Sequence, residues 1–182
     1  MSLIGRDSPV KRFRVDEFHM TQAEFAHACG VSKLLIIRAE QCCYKLPPPA
    51  IENYLVSQVP AFDLNEFRAD YLNFQRKMRK FSYGILEPGF DFHHLSPKKH
   101  PFIEWREYSA INQTMACKYW CLHPAVIYKF EVQPHLLNDL PSDLVDALLE
   151  SGYSELIIAE LRAAYKRYKT YLASKVGVRV EG

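Results

Sequence analysis

The sequence predicts an all-α protein made of two repeated helix-turn-helix units, each followed by a long amphipathic helix. Three observations predict it. Met20 to Gln41 reads as a capped helix, a glycine turn and a second capped helix. Two long runs, Leu64 to Phe81 and Ile158 to Leu172, carry apolar residues at alternating three- and four-residue spacing, the seam of a packed helix. The order of motif, loop, short helix and long helix then recurs after residue 100. The expected units are residues 10–81 and 101–176, joined by a linker at 82–100.

Composition permits this plan. The chain has 182 residues, 48% of them hydrophobic and 13% aromatic, enough for real cores and too many for a disordered tail. Its net charge is only +2, so a nucleic-acid surface would have to gather its basic residues on one face. No apolar run approaches the roughly 20 residues that span a bilayer. The charged first 19 residues lack the apolar core of a signal peptide. Five cysteines, an odd number without disulfide-rich spacing, point to a reducing compartment. A cytoplasmic protein is expected, in the bacterial cytoplasm or nucleoid, with no membrane partner.

Residues 1–9 read as a loose arm. Lys11, Arg12 and Arg14 follow, either as a basic arm on phosphates or as a solvated helix edge. In the motif, Thr21 can cap the first helix and Glu24 can close a capping box. Phe25 and Ala26 face inward, and Gly30 supplies a positive φ cheaply. Ser32 can cap the second helix, whose inner face is Leu35, Ile36 and Ala39. Cys42 to Pro49 forms a proline-stiffened connection that carries Lys45. A helix from Ala50 to Gln58 is expected next, with Ile51, Tyr54 and Leu55 inward. Asp63 then starts the long helix, which ends in the basic run Arg76, Lys77, Arg79 and Lys80. Cations there complement the helix dipole without any need of DNA. Residues 82–100, with Gly84, Pro88, Gly89 and Pro97, have the composition of a linker, although Tyr83, Phe90 and Phe92 suggest that it packs down.

The pattern restarts at Asn112 to Val132. An offset of 91 places Gln22 on Gln113, Ile36 on Ile127 and Glu40 on Glu131. Asn112 stands in for the Thr21 cap, and Pro124 falls at a first helical position that welcomes proline. Beyond the motif an offset of 94 sets Ile51 and Leu55 on Val145 and Leu149, and Leu64, Phe67 and Tyr71 on Ile158, Leu161 and Tyr165. The second long helix should run from about Tyr153 to Ser174. Cys121 stands where Gly30 does, so its turn must change geometry or strain the cysteine.

The first motif resembles the DNA-binding helix-turn-helix of the Xre/Cro repressor family, through Thr21, Gln22, Phe25, Ala26, Gly30, Val31, Ser32, Ile36, Arg38 and Glu40. The resemblance implies a sequence-specific, double-stranded-DNA-binding transcriptional regulator of bacterial or phage type, most simply a repressor, and no enzyme. It implies that Ser32, Lys33, Leu34, Ile37 and Arg38 face outward, with Lys45 beyond them. Lys33 and Arg38 could donate to guanine or phosphate, while Leu34 and Ile37 could touch only thymine methyls. Gln22 becomes a phosphate anchor. In the second copy the corresponding residues are His123, Pro124, Ala125, Tyr128 and Lys129, with Gln113 as anchor. The resemblance also implies an arginine bonded to the glutamate of the second helix. Arg106 with Glu131 fits, whereas in the first copy Val15 holds that slot beside Arg14, so the opening helix there should be short or irregular.

Two unlike heads in one chain imply a monomer acting as a pseudo-dimer, or a weak homodimer, on an asymmetric site with half-sites ~10 base pairs apart. RNA polymerase or another regulator is a further partner to consider. The greasy Leu34 and Ile37 also suit a protein-interaction adaptor, and a recognition subunit in DNA processing is a third reading. Metal and enzyme readings fare poorly and no cofactor is expected. Cys117, Cys121 and His123 lack a paired C-x-x-C partner, and His93-His94 beside Asp91 has no second carboxylate cluster.

Overall fold

The computed structural model describes residues 7–80, 82 and 84–177, so Phe81, Tyr83 and residues 1–6 of the expected arm lie outside the described residues. Every regular element among the described residues is helical. The chain divides into two compact units, residues 1–78 and 79–182. No helix of the described residues is long and apolar enough to cross a membrane.

The first unit opens with α1 (Pro9–Arg12), which passes directly into a π-helical turn, Phe13–Glu17. Helices α2 (Gln22–Ala28), α3 (Lys33–Glu40) and α4 (Pro49–Gln58) follow, and then α5 (Leu64–Lys80), whose last two residues belong to the second unit. Ser8 caps α1 and Asp63 caps α5, where its Oδ1 accepts from the amides of Asn65 and Glu66 at 2.9 and 3.0 Å. Val10, Phe25, Ile36, Ala39, Ile51, Leu55, Phe67 and Tyr71 fill the core. Phe18, Phe25 and Tyr54 make an aromatic cluster with centroid separations of 5.5–6.1 Å. Gln75 of α5 donates to the carbonyls of Cys42 and Tyr44 at 2.7 and 3.2 Å and so ties the long helix to the connection after α3.

The second unit contains α6 (Pro101–Tyr108), α7 (Gln113–Tyr119), α8 (Pro124–Val132), a 3-10 turn (Pro134–Leu136), α9 (Ser142–Glu150) and α10 (Glu155–Gly177). Its core is larger and more aromatic, with Phe102, Trp105, Trp120, Phe130 and Tyr165 fully buried. Arg79 is buried here, donating to the carbonyl of Trp120 at 2.9 Å and to Glu150 at 2.8 Å. Arg76, Lys77 and Lys80, the rest of that basic run, stay exposed.

Three expectations change. Residues 84–100 are no linker between cores. Leu86 and Phe92 are buried in the second unit's core, and the Tyr153 hydroxyl bonds both the amide and the carbonyl of Leu86 at 2.9 Å. Glycine and proline there fix turns without preventing burial. The second change concerns the offset in the short helix, which is 93 rather than 94. Leu144 and Leu148 are buried in α9 as Ile51 and Leu55 are in α4, and Pro141 stands at the N-cap as Pro48 does. Val145 is half-buried and Leu149 exposed. The third is the start of α10. Tyr153 precedes that helix, and Ser154 caps it by accepting from the amide of Ile157 at 3.3 Å.

Candidate nucleic-acid interface

In the first unit, α2 and α3 are set by local chemistry that the sequence announces. Thr21 accepts from the Glu24 amide at 3.3 Å, and the Glu24 carboxylate accepts from the Thr21 amide at 2.7 Å, closing the capping box. Those hydrogen bonds hold the Glu24 carboxyl below its ordinary pKa. Gly30 adopts φ +66°, and the Val31 amide donates back to the Ala26 carbonyl at 2.9 Å. Ser32 then caps α3.

In the second unit, α7 and α8 are joined by the same hydrogen-bond pattern. Asn112 caps α7 through the Met115 amide at 2.8 Å, and the Leu122 amide donates to the Cys117 carbonyl at 2.9 Å. Cys121 sits at φ +49°, so the turn keeps the left-handed geometry and the cysteine bears the strain. Burial pushes its thiol up to about 11, which makes it an inert core group. His123 caps α8, its Nδ1 accepting from the Ala125 amide at 3.2 Å.

Each pair of helices is held by a buried arginine–glutamate–glutamine clamp. In the second unit, Arg106 of α6 meets Glu131 of α8 bidentately at 2.9 and 3.0 Å. Its Nη1 donates to the Ile111 carbonyl and Gln113 of α7 donates to Glu131, at 2.7 and 2.6 Å. In the first unit, Arg14 bonds Glu40 of α3 and the Met20 carbonyl, and Gln22 of α2 donates to Glu40 at 2.6 Å. The sequence points to Arg106 with Glu131. For the first unit it leaves the slot with Val15, which is exposed, while Arg14 is the residue turned inward. The π turn makes the difference: its Phe18 amide reaches back five residues to Phe13.

The clamp also redefines Gln22 and Gln113. Both are half-buried, and each has one amide hydrogen committed to the clamp glutamate, so they orient the second helix first. Among the remaining expected residues of the first unit, Ser32, Lys33, Leu34 and Lys45 are exposed, while Ile37 and Arg38 are half-buried. The outward surface of α3 therefore holds Lys33 and the greasy Leu34, which is 52% exposed, with Ile37 and Arg38 only partly open to solvent. In the second unit, Ala125, Tyr128 and Lys129 are exposed and His123 and Pro124 half-buried. Val132 and Leu136, which the sequence motif does not single out, are exposed by 52% and 60%, Val132 one turn beyond Tyr128 on α8 and Leu136 in the 3-10 turn that follows. The i, i+4 spacing of Val132 from Tyr128 on α8 is the signal that marks it, whereas Leu136 lies beyond the helix.

No group of three His, Cys, Asp or Glu residues that could hold a metal occurs among the described residues. The five cysteines are free thiols. His94 bonds Asp91, whose carboxyl its contact lowers, while His93 reaches Glu160 at 3.3 Å on an exposed surface. No family model, curated protein or solved structure matches the chain.

Proposed function

We propose that the chain is a sequence-specific double-stranded-DNA-binding transcriptional regulator of the Xre/Cro type, acting as a repressor and built by duplication of one helix-turn-helix unit. The clamp carries this reading. In both units the same three side-chain types fix the second helix of the pair against its neighbours and leave its opposite face in water. A reading helix has to be rigid behind and open in front, because its outward side chains meet base edges while the preceding helix crosses the backbone. In the first unit those side chains are Lys33, Leu34, Ile37 and Arg38, with Lys45 beyond them.

The outer face of α8 and the 3-10 turn after it support a second reading for the second unit. Tyr128, Val132 and Leu136 are each at least half exposed, and Pro124 and Ala125 add no donors. Such a face suits a protein partner, RNA polymerase or another regulator, better than a groove.

Selection from random duplex DNA at two salt concentrations tests both readings. The full chain should enrich one motif, with affinity falling as salt rises. Replacing Lys33 and Arg38 by alanine should cost about 1–3 kcal/mol for each base that is no longer read. No enrichment, together with undiminished binding by the double variant, would overturn the DNA reading. Lys129→Ala with Tyr128→Phe should alter one half of the enriched motif if α8 reads DNA. An unchanged motif assigns that face to a protein.

A further inference from the structure

We propose that the first unit carries a binding site for a small organic cation, an ammonium or guanidinium group on an apolar body. The site is a concavity of about 420 Å³ between the π turn, the connection after α4 and the first turns of α5. That volume lies within the range of small-molecule sites, about 300–1,000 Å³.

Its floor is aromatic. Phe13, Phe62 and Phe67 contact one another edge-on or tilted, with centroids 5.4–5.6 Å apart. Phe67 is buried, but Phe13 and Phe62 are only half-buried, so ring surface is open to the cavity. Its rim is acidic. The lining holds five carboxylates against one guanidinium, and that guanidinium, Arg12, is paired with Asp70 at 3.2 Å.

Two features leave this rim's charge available to a ligand. First, the side chains of Asp16, Glu17 and Glu66 form no ion pair or hydrogen bond among the described residues. Second, the placement of Asp16 and Glu17 is not explained by helix electrostatics. Asp63 and Glu66 open α5, where the dipole favours acids. Asp16 and Glu17 close the π turn, where it disfavours them. Asp16 and Glu17, set against the dipole beside incompletely buried rings, are a local inconsistency of the kind that marks functional sites. A cation with an apolar body answers both. Its charge meets the carboxylates and the ring faces, and its body covers Phe13 and Phe62. An anion of equal size is repelled.

The test titrates the full chain with benzylammonium at neutral pH, with benzyl alcohol and phenylacetate as neutral and anionic probes of similar size. Binding is followed by backbone-amide chemical shifts. Benzylammonium should saturate with a Kd of about 1 mM or tighter, about tenfold or more below that of benzyl alcohol. The shifts should fall on residues 12–17 and 59–70, and added salt should weaken the binding. Asp16→Asn with Glu17→Gln should weaken it about tenfold, roughly 1.4 kcal/mol. If the double variant loses its helical ellipticity, Glu66→Gln, at an exposed position of α5, replaces it. Equal binding of benzyl alcohol, undiminished binding by a folded variant, or no saturation by benzylammonium at about ten times the expected Kd would each overturn the proposal.

Discussion

Arg14 and Arg106 do the same work from different backbones. Arg106 lies in a regular α-helix and bonds a carbonyl five residues ahead, at Ile111; Arg14 bonds one six residues ahead, at Met20. The surplus residue is taken up in the π turn Phe13–Glu17. The offset between the units records it. Ser8-Pro9 matches His100-Pro101 at 92, and His19 matches Ala110 at 91, both of these in the left-handed region at φ +51° and +56°. The turns behave likewise, since Gly30 and Cys121 share a conformation although only glycine adopts it without strain. What the two units share is a set of hydrogen bonds and backbone conformations. The local sequence that delivers them is free to differ.

The clamp itself gives the largest test of that comparison. Glu131→Ala leaves Arg106 buried and unpaired, with side chains that were 9% and 2% exposed, and should cost about 3–5 kcal/mol. Glu40→Ala should fall at or below the low end of that range, because its pair is wetter at 10% and 8%. Both tryptophans of the chain, Trp105 and Trp120, lie in the second unit. Denaturant unfolding read by tryptophan fluorescence therefore reports that unit, while far-UV ellipticity reports both. Equal destabilisation of the two variants would break the comparison.

How much of this is legible in the sequence follows from which physics is local. Thr21 with Glu24, Ser32 and Asn112 announce helix starts because a cap is decided within four residues. Gly30 announces a turn for the same reason. The second turn is harder to read, because Cys121 carries no backbone signature and only its register points to it. The clamp arginine of the first unit sits one residue from its expected slot because a π turn has no sequence signal of its own. Phe92 suggests that its segment packs down, but the burial of Leu86 is hidden by the glycines and prolines around it, which mark bends and say nothing of what the bend packs against. The outward faces of α3 and α8 are legible in composition, but Val132 ends α8 and Leu136 lies in the turn beyond it.

A second difference between the units is set by pH. Ser8 caps α1 where His100 stands at the start of α6, and both are buried. His100 bonds the Phe130 carbonyl through Nε2 at 2.9 Å and lies among the rings of Phe130, Tyr165 and Tyr168, with Nδ1 buried and unpartnered. Burial dominates and lowers its pKa from 6.5 to about 4, against smaller opposing effects from the Phe130 carbonyl and Glu131, while Arg106 lowers it further. Between those two values the unfolded chain takes up a proton that the folded chain refuses, so stability falls as pH drops through that window. The second unit should lose on the order of 2 kcal/mol between pH 7 and pH 5. His100→Ser, which copies the first unit, should flatten that slope in fluorescence-detected unfolding. An unchanged slope would show that another group controls it.

The smallest effect belongs to the π turn. In an ordinary helix, removing one residue rotates everything beyond it by about 100° and takes the buried face out of the core. Val15 is a different case, because the turn around it already holds one residue more than a regular helix needs. Deleting this exposed valine leaves Arg14 five positions from the residue whose carbonyl it bonds, which is the spacing of Arg106 and Ile111. The turn should close as α-helix with Arg14 still on Glu40, and stability should change by less than about 1 kcal/mol. Deleting Tyr108, the exposed residue near the end of α6 where no surplus exists, should shift the Arg106 spacing and unfold the clamp. Thermal unfolding of the two deletions, read by far-UV ellipticity, decides it. A Val15 deletion as damaging as the Tyr108 deletion would mean that the π turn is required for the clamp and is no accommodated surplus.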